Sequence, residues 1–280
     1  MNQKKPIRKA PLKNKMATDL DSATKYDLYI KAVQSPATDV IFYKKIYQAI
    51  RGKLKSDLTL REDFCGTGTI SAEWIKLNKN YKSVGLDLDP EPMDYGRQRF
   101  IKTLKPEQQK RISLLQKNVL DKDLPKSDIV AAVNFSYCLF KQRDLLKKYF
   151  QNVYNSLKPG GIYIIDCFGG SQCFDEIIDH TKHKDFTYYW DQKGFDPLTS
   201  YAHFAIHFRY KNKMYKDVFT YDWRLWSIPE IREIMIEVGF QSTNIYWEGT
   251  TKKGEGDGIF SLVKVGEACE SWIAYVAGVK

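Results

Sequence analysis

The 280-residue chain is 43% hydrophobic and 14% aromatic, enough to bury one substantial core with room for an insertion or a small second unit. It has no run near the roughly eighteen apolar residues of a membrane span, and its opening MNQKKPIRKAPLKNK has charge but no apolar stretch behind it, so membrane and secretory classes are set aside and a cytoplasmic location is expected. The net charge of +10 raises nucleic acid as a partner, yet Lys4, Lys5, Arg8, Lys9, Lys13 and Lys15 crowd into the opening segment, so residues 1–20 read as a solvated, poorly ordered basic tail, with RNA or an acidic partner its less favoured use.

Residues 21–56 follow as a helical cap. Apolar positions recur at helical spacing through Tyr26, Leu28, Tyr29 and Val33, then Val40, Ile41, Tyr43, Ile46, Tyr47 and Ile50, which predicts two helices broken at Ser35-Pro36. Such a segment either closes over a ligand or packs on a sheet, and Tyr26 and Tyr29 are its candidate site residues. A first strand over 58–64 runs into LREDFCGTGTIS and a helix from about Thr69. Gly66 and Gly68 let the backbone bend through positive φ and approach a ligand closely.

That turn is an incomplete dinucleotide fingerprint, because Ser71 stands where the third glycine of GxGxxG belongs. Glu62 and Asp63 add negative charge at the strand end, which repels a pyrophosphate and attracts an ammonium or sulfonium group. S-adenosylmethionine carries both cations and no phosphate; NAD(P) remains the alternative. A second strand over 82–89 ends in Asp87 and Leu88, and Asp87 follows the glycine turn by about twenty residues, the interval at which a carboxylate reaches a ribose diol. Asp89-Pro90 then opens a helix with Asp89 as its N-cap.

Strands over 111–119, ending in Asn118-Val119, and over 128–135 come next. A helix over 143–157 is stopped by Lys158-Pro159-Gly160-Gly161, and a fifth strand spans 162–168. Alternating strands and helices at this spacing predict an α/β fold, a doubly wound, mostly parallel sheet with a cofactor-binding core over 57–170. Residues 171–227 change pattern. Aromatic, β-branched strands near 186–191, 201–210 and 214–223 predict an antiparallel β insertion after strand 5 that acts as a lid. A helix over 228–238, with Ser227 as N-cap, and strands near 243–248 and 272–279 complete a seven-stranded Rossmann-like sheet, with a mobile glycine-rich loop around 252–258.

With these parts placed, the chain resembles class I S-adenosylmethionine-dependent methyltransferases. The resemblance rests on EDFCGTG, VGLDLD, QKNVLDKDLP, DIVAAVNFSY, LKPGGIYIIDCFGG and the strand–helix–hairpin ending; REDFCGT and TYDWRLWSIPEI resemble a subgroup whose acceptor is not identified. The resemblance places Glu62 near the methionine ammonium, Gly66 and Gly68 against the ligand, Asp87 with Leu88 at the ribose, and Asn118 with the Val119 amide at the adenine. Phe64 stands at the motif's usual first glycine and Asn118 at its commoner aspartate.

Methyl transfer from a sulfonium is an in-line displacement that needs positioning and water exclusion more than a fixed triad. Asn134 and Tyr137, at the end of the fourth strand, are the candidate transfer residues, with Asn134 also facing the cofactor. Phe135 is as readily packing under the adenosine, and Asp166 either faces the pocket or fixes a loop. The insertion offers Tyr188, Tyr189, Trp190, Tyr221, Trp223, Arg224 and Trp226, with Trp247 and Glu248 near in topology, as an aromatic acceptor enclosure. From these, Tyr188, Trp190, Tyr221, Trp223, Arg224 and Glu248 are the substrate candidates. His203 and His207 share a strand face, and a structural role is their default. The five cysteines, Cys65, Cys138, Cys167, Cys173 and Cys269, have neither CxxC nor zinc spacing, so reduced thiols and no metal are expected. The expected function is methyl transfer to a small molecule. An RNA or protein methyltransferase using the tail, or a non-catalytic protein that binds the cofactor, are the alternatives.

Overall fold

The computed structural model describes residues 20–252 and 254–280. Two helices come first, α1 (Ser22–Val33) and α2 (Pro36–Arg51), with the break at Ser35-Pro36 that the sequence predicts. Pro36 has no N–H to satisfy at a helix start, and Gly52 closes α2 in the left-handed conformation.

The central sheet is built by β1 (Thr59–Asp63), β2 (Lys82–Asp87), β3 (Ile112–Gln116), β4 (Ser127–Ala132) and β5 (Leu157–Gly169). Helices α3 (Thr69–Trp74), α4 (Pro90–Gly96), α5 (Pro106–Gln109) and α6 (Arg143–Ser156) lie between them. All pairings among these five strands are parallel, in the order β5-β4-β1-β2-β3. Their direction of winding reverses between β1 and β4, and the crevice beyond the C-terminal ends at that reversal is where open α/β sheets bind ligands. Every residue of β4 is buried, as a strand covered on both faces must be.

Four strands form a separate antiparallel sheet after β5: β6 (Ile178–Lys182), β7 (Phe186–Asp196), β8 (Tyr201–Tyr210) and β9 (Lys213–Arg224). The chain then returns through α7 (Ile228–Glu237), whose Ser227 and Glu230 make a reciprocal capping box, into β10 (Ser242–Thr250), β11 (Gly256–Val263) and β12 (Trp272–Val279). These extend the central sheet antiparallel beyond β5, in the order β11-β10-β12-β5.

Eight strands therefore lie where seven are predicted. The additional one is β11, which takes up the end of the glycine-rich segment expected as a loop and becomes the outer edge of the sheet. Edge strand β6 is likewise unannounced, because all five of its residues are exposed and no alternation marks it. No helix among the described residues is long and apolar enough to cross a membrane. The basic tail falls outside the described residues, apart from Leu20.

Helix α1 ties the two sheets together. Its Tyr26 ring lies 5.3 Å from Tyr95 of α4, its Asp27 accepts a hydrogen bond from the Tyr95 hydroxyl, and Ser22 bonds to Glu91. On the other side Tyr29 sits 4.8 Å from the Phe219 ring of β9, and Leu28 packs with Phe186, Ile206 and Phe208 of the antiparallel sheet.

Candidate active site

The glycine turn follows β1 directly, and the alternation of the strand divides its charges between two faces. Glu62 lies on one. It is buried, and its Oε2 accepts both the amide (2.9 Å) and the hydroxyl (2.7 Å) of Ser71, so it pins the first turn of α3. Burial pushes its carboxyl up to about 8, against the two Ser71 hydrogen bonds, and Asp87 and Asp39 add to the rise. Asp63 lies on the other face and corrects the sequence reading of two carboxylates at the ligand. Both its oxygens are held by the Arg61 guanidinium (2.8 and 3.0 Å), Oδ2 also accepts from the Tyr149 hydroxyl, and the pair is shut in the core. Its charge is neutralised there.

Phe64, Gly66 and Gly68 all have positive φ, at 59°, 49° and 67°. Phe64 thus adopts a glycine-like backbone with a bulky side chain, and its ring leaves the crevice to pack 5.5 Å from Tyr149 and 6.0 Å from Phe140. Gly66 is different. A Cβ there would meet nothing within 4 Å, so the turn borders open space, and its amide donates to Asp87 Oδ2 at 2.7 Å. Asp87 Oδ1 accepts from the Asp89 amide at 3.0 Å. A carboxylate has about four acceptor positions, so Asp87 keeps roughly two for a diol. Leu88 beside it is 61% exposed, an apolar surface at the rim of the same crevice. Asn118 spends one lone pair of its side-chain carbonyl on the Leu120 amide (2.8 Å), and Val119 is buried. An open glycine bend, a carboxylate with acceptor capacity and an exposed apolar rim suit a nucleoside without phosphates.

Beside the crevice, at the ends of β4 and β5, lies a cavity of about 450 Å³. Asn134 and Phe135 form its floor. Both have φ of 57°, and Asp166 holds this left-handed pair in place: its Oδ2 accepts from the Asn134 amide at 2.7 Å and its Oδ1 from the Phe135 amide at 2.9 Å. Asp166 both fixes this loop and lines the cavity, the two roles between which the sequence could not choose. Burial pushes its carboxyl up to about 7, against the Phe135 and Asn134 amides, with Asp39 adding to the rise.

The antiparallel sheet supplies one wall. Tyr188 and Trp190 of β7 and Tyr221 and Trp223 of β9 all line the cavity, two residues apart on each strand as alternation requires, while Tyr189 turns away to stack with His180. Another wall comes from residues the sequence reading passed over or named only as core, Asp39 and Tyr43 of α2 and Tyr275 of β12; of the two α1 candidates, Tyr29 lines the cavity as well and Tyr26 does not. Asp39 and Tyr43 stand one turn apart on α2, and this i, i+4 pair was the available signal. Burial raises the Asp39 carboxyl to about 6, against the Ser35 backbone.

Three predicted site residues lie elsewhere. Tyr137 is 1% exposed, because the short turn Ser136–Leu139 swings its ring into the main hydrophobic core. Arg224 stacks on Trp226 at 3.7 Å, pairs with Glu230 and donates to the Lys141 carbonyl, so it anchors the start of α7 instead of an acceptor. Glu248 accepts from the Gly258 amide at 3.0 Å and closes the β10–β11 hairpin. Trp226 donates to the Phe140 carbonyl, and Trp247 packs on Trp272. His207 is a structural histidine, bonded to Asp191 (3.1 Å) and to the Asp217 amide (2.8 Å), and His203 faces Asp222 at the surface. Among the described residues no cluster of three or more His, Cys, Asp or Glu could hold a metal ion.

Comparison with known proteins agrees with this arrangement. Residues 65–163 match a family described as a methyltransferase domain. None of the curated protein sequences matches the chain. Among solved structures, it is similar to an S-adenosylmethionine-dependent methyltransferase from Clostridium acetobutylicum, at 21% identity and a TM-score of 0.61, covering 91% of this chain and 96% of that one. It is also similar to the sugar N-methyltransferase KedS8 from Streptoalloteichus (14% identity, TM-score 0.61, 99% of each chain). A third is CalS10, an amino pentose methyltransferase from Micromonospora echinaspora (13% identity, TM-score 0.62, 94% of this chain and 100% of that one). Residues 65–163 thus match a methyltransferase-domain family, and the chain as a whole shares the Rossmann-like fold of these S-adenosylmethionine-dependent methyltransferase structures.

Proposed function

We propose that this methyltransferase moves a methyl group from S-adenosylmethionine to a small-molecule acceptor by direct in-line displacement. The observation that carries the reading is the placement of the cavity at the C-terminal ends of β4 and β5, next to the strand that leads into the glycine turn, with α1, α2 and the antiparallel sheet forming its walls. A folded macromolecule has no room in about 450 Å³, whereas a molecule of sugar or amino-acid size does. Likeness to structures described as sugar and amino pentose methyltransferases supports a small acceptor.

When bound, the cofactor supplies a methyl carbon made electrophilic by the sulfonium. The protein's part is to hold and orient. In this reading Asp87 accepts the ribose hydroxyls, the Gly66 backbone allows close approach, and Leu88 covers the nucleoside edge. Asn118 and the Val119 amide meet the adenine, and Glu62 lies toward the methionine ammonium, which would draw its raised carboxyl back into the ionised form. Asn134 stands between crevice and cavity with its amide available to cofactor or acceptor. The aromatic walls exclude water from the transfer point.

Calorimetry with S-adenosylhomocysteine and NADH tests the cofactor assignment. Binding of the first and not the second is expected. Asp87→Ala removes two hydrogen bonds to a charged acceptor, so affinity should fall by about 3 kcal/mol, a loss on the order of a hundredfold. Unchanged affinity in that variant, or preference for NADH, contradicts the site.

A further inference from the structure

We propose that the acceptor carries a small basic amine, held in its ammonium form against Asp39 on the α2 wall of the cavity; where that nitrogen itself takes the methyl group, its proton passes first to the Asp39 carboxylate and frees the lone pair. The inference deepens the methyltransferase reading and rests on it for the word acceptor, but its evidence is the lining of the cavity itself.

The chain has 44 Lys and Arg and a net charge of +10, yet no Lys, Arg or His lines the cavity among the described residues. Two carboxylates do. They differ in how far the protein itself satisfies them. Each Asp166 oxygen already accepts a backbone amide and is committed to the Asn134–Phe135 turn. Asp39 has no ion-pair partner among the described residues and only the Ser35 backbone as a hydrogen-bonding partner, although it is partly buried. A half-buried carboxylate facing a cavity without a counter-ion is costly to keep charged, and a cationic guest removes that cost.

A second observation is independent of the acids. Tyr43, one turn along α2 from Asp39, lines the same cavity, and its buried hydroxyl has no hydrogen-bond partner among the described residues. Buried hydroxyls are nearly always bonded, so this one marks a position that a polar guest completes. Opposite stand Trp190 and Trp223, aromatic walls that favour an alkylammonium over a neutral or anionic group. An ammonium offers donors to both Asp39 and Tyr43; a carboxylate would meet two negative charges and no positive one.

Cyclohexylamine, cyclohexanol and cyclohexanecarboxylate share one ring and are a cation, a neutral molecule and an anion at pH 7.5. Each is titrated calorimetrically into the full chain and into Asp39→Asn, with and without saturating S-adenosylhomocysteine. The amine should bind at least tenfold more tightly than the other two, and Asp39→Asn should cut that preference below threefold while cyclohexanol affinity stays within threefold, which also reports that the variant is folded. Equal binding of alcohol or carboxylate, or an undiminished amine preference in Asp39→Asn, overturns the proposal. The two readings separate cleanly: amine preference without S-adenosylhomocysteine binding upholds the cation site and overturns the cofactor assignment, whereas S-adenosylhomocysteine binding without amine preference overturns the cation site alone.

Discussion

Three acids at the C-terminal ends of the paired strands β1 and β2 do three different jobs, and the partner of each decides which. Asp63 is consumed by Arg61 and Tyr149 in the core, Glu62 pins Ser71 through one of its two oxygens, and Asp87 retains acceptor capacity beside an open glycine. The Arg61–Asp63 pair is the clearest case for a stability measurement. Asp63→Asn keeps the shape but leaves a buried guanidinium uncompensated, and the expected loss is about 3–5 kcal/mol in denaturant unfolding. A loss below about 1 kcal/mol would mean that Arg61 finds water or another acceptor and that the pair is not closed.

At the scale of elements, strands with one buried face or two announced themselves in the sequence, and so did the amphipathic helices. β1, β2, β4 and β5 lie where hydrophobic runs put them, and α1 and α2 divide where Pro36 requires it. β6 and β11 did not, since a strand exposed along its length carries no periodic signal. The meeting of the glycine turn with Asp87 was legible because the two lie close in sequence at the ends of adjacent strands. The cavity was half legible. Alternation on β7 and β9 selected Tyr188, Trp190, Tyr221 and Trp223, but Asp39, Tyr43 and Tyr275 come from elements more than two hundred residues apart at the extreme, and only the packing of α2 against the central sheet brings them together. Tyr137 and Arg224 went astray for local reasons: a tight turn redirected the first, and the second, the last residue of β9, found Trp226 and Glu230 in the segment that follows.

For the molecule as a whole, the site carries an electrostatic cost that pH exposes. Glu62, Asp166 and Asp39 have folded-state values raised to about 8, 7 and 6 by burial, above the range of about 4 in an unfolded chain. A carboxyl raised on folding binds its proton more tightly in the native state, so the stability it contributes is complete below about pH 4 and is lost as pH rises through the folded value. Acids held low by partners, such as Asp128 beside Lys158 and Lys55 and Glu237 beside Arg143, act in the opposite sense but below that window. Urea unfolding of the ligand-free protein should therefore give a stability at pH 8.5 lower than at pH 5.5 by at least about 1 kcal/mol, with the difference reduced in Glu62→Gln. Greater stability at pH 8.5 would contradict the burial of these groups.

The central claim is spatial: the glycine turn and the aromatic cavity are two halves of one site. A crystal soaked with S-adenosylhomocysteine tests it directly. The account predicts ribose hydroxyls on Asp87 and the thioether sulfur directed past Asn134 into the cavity between Asp39 and Trp190. Density for the ligand elsewhere, or a sulfur facing away from that cavity, would contradict it.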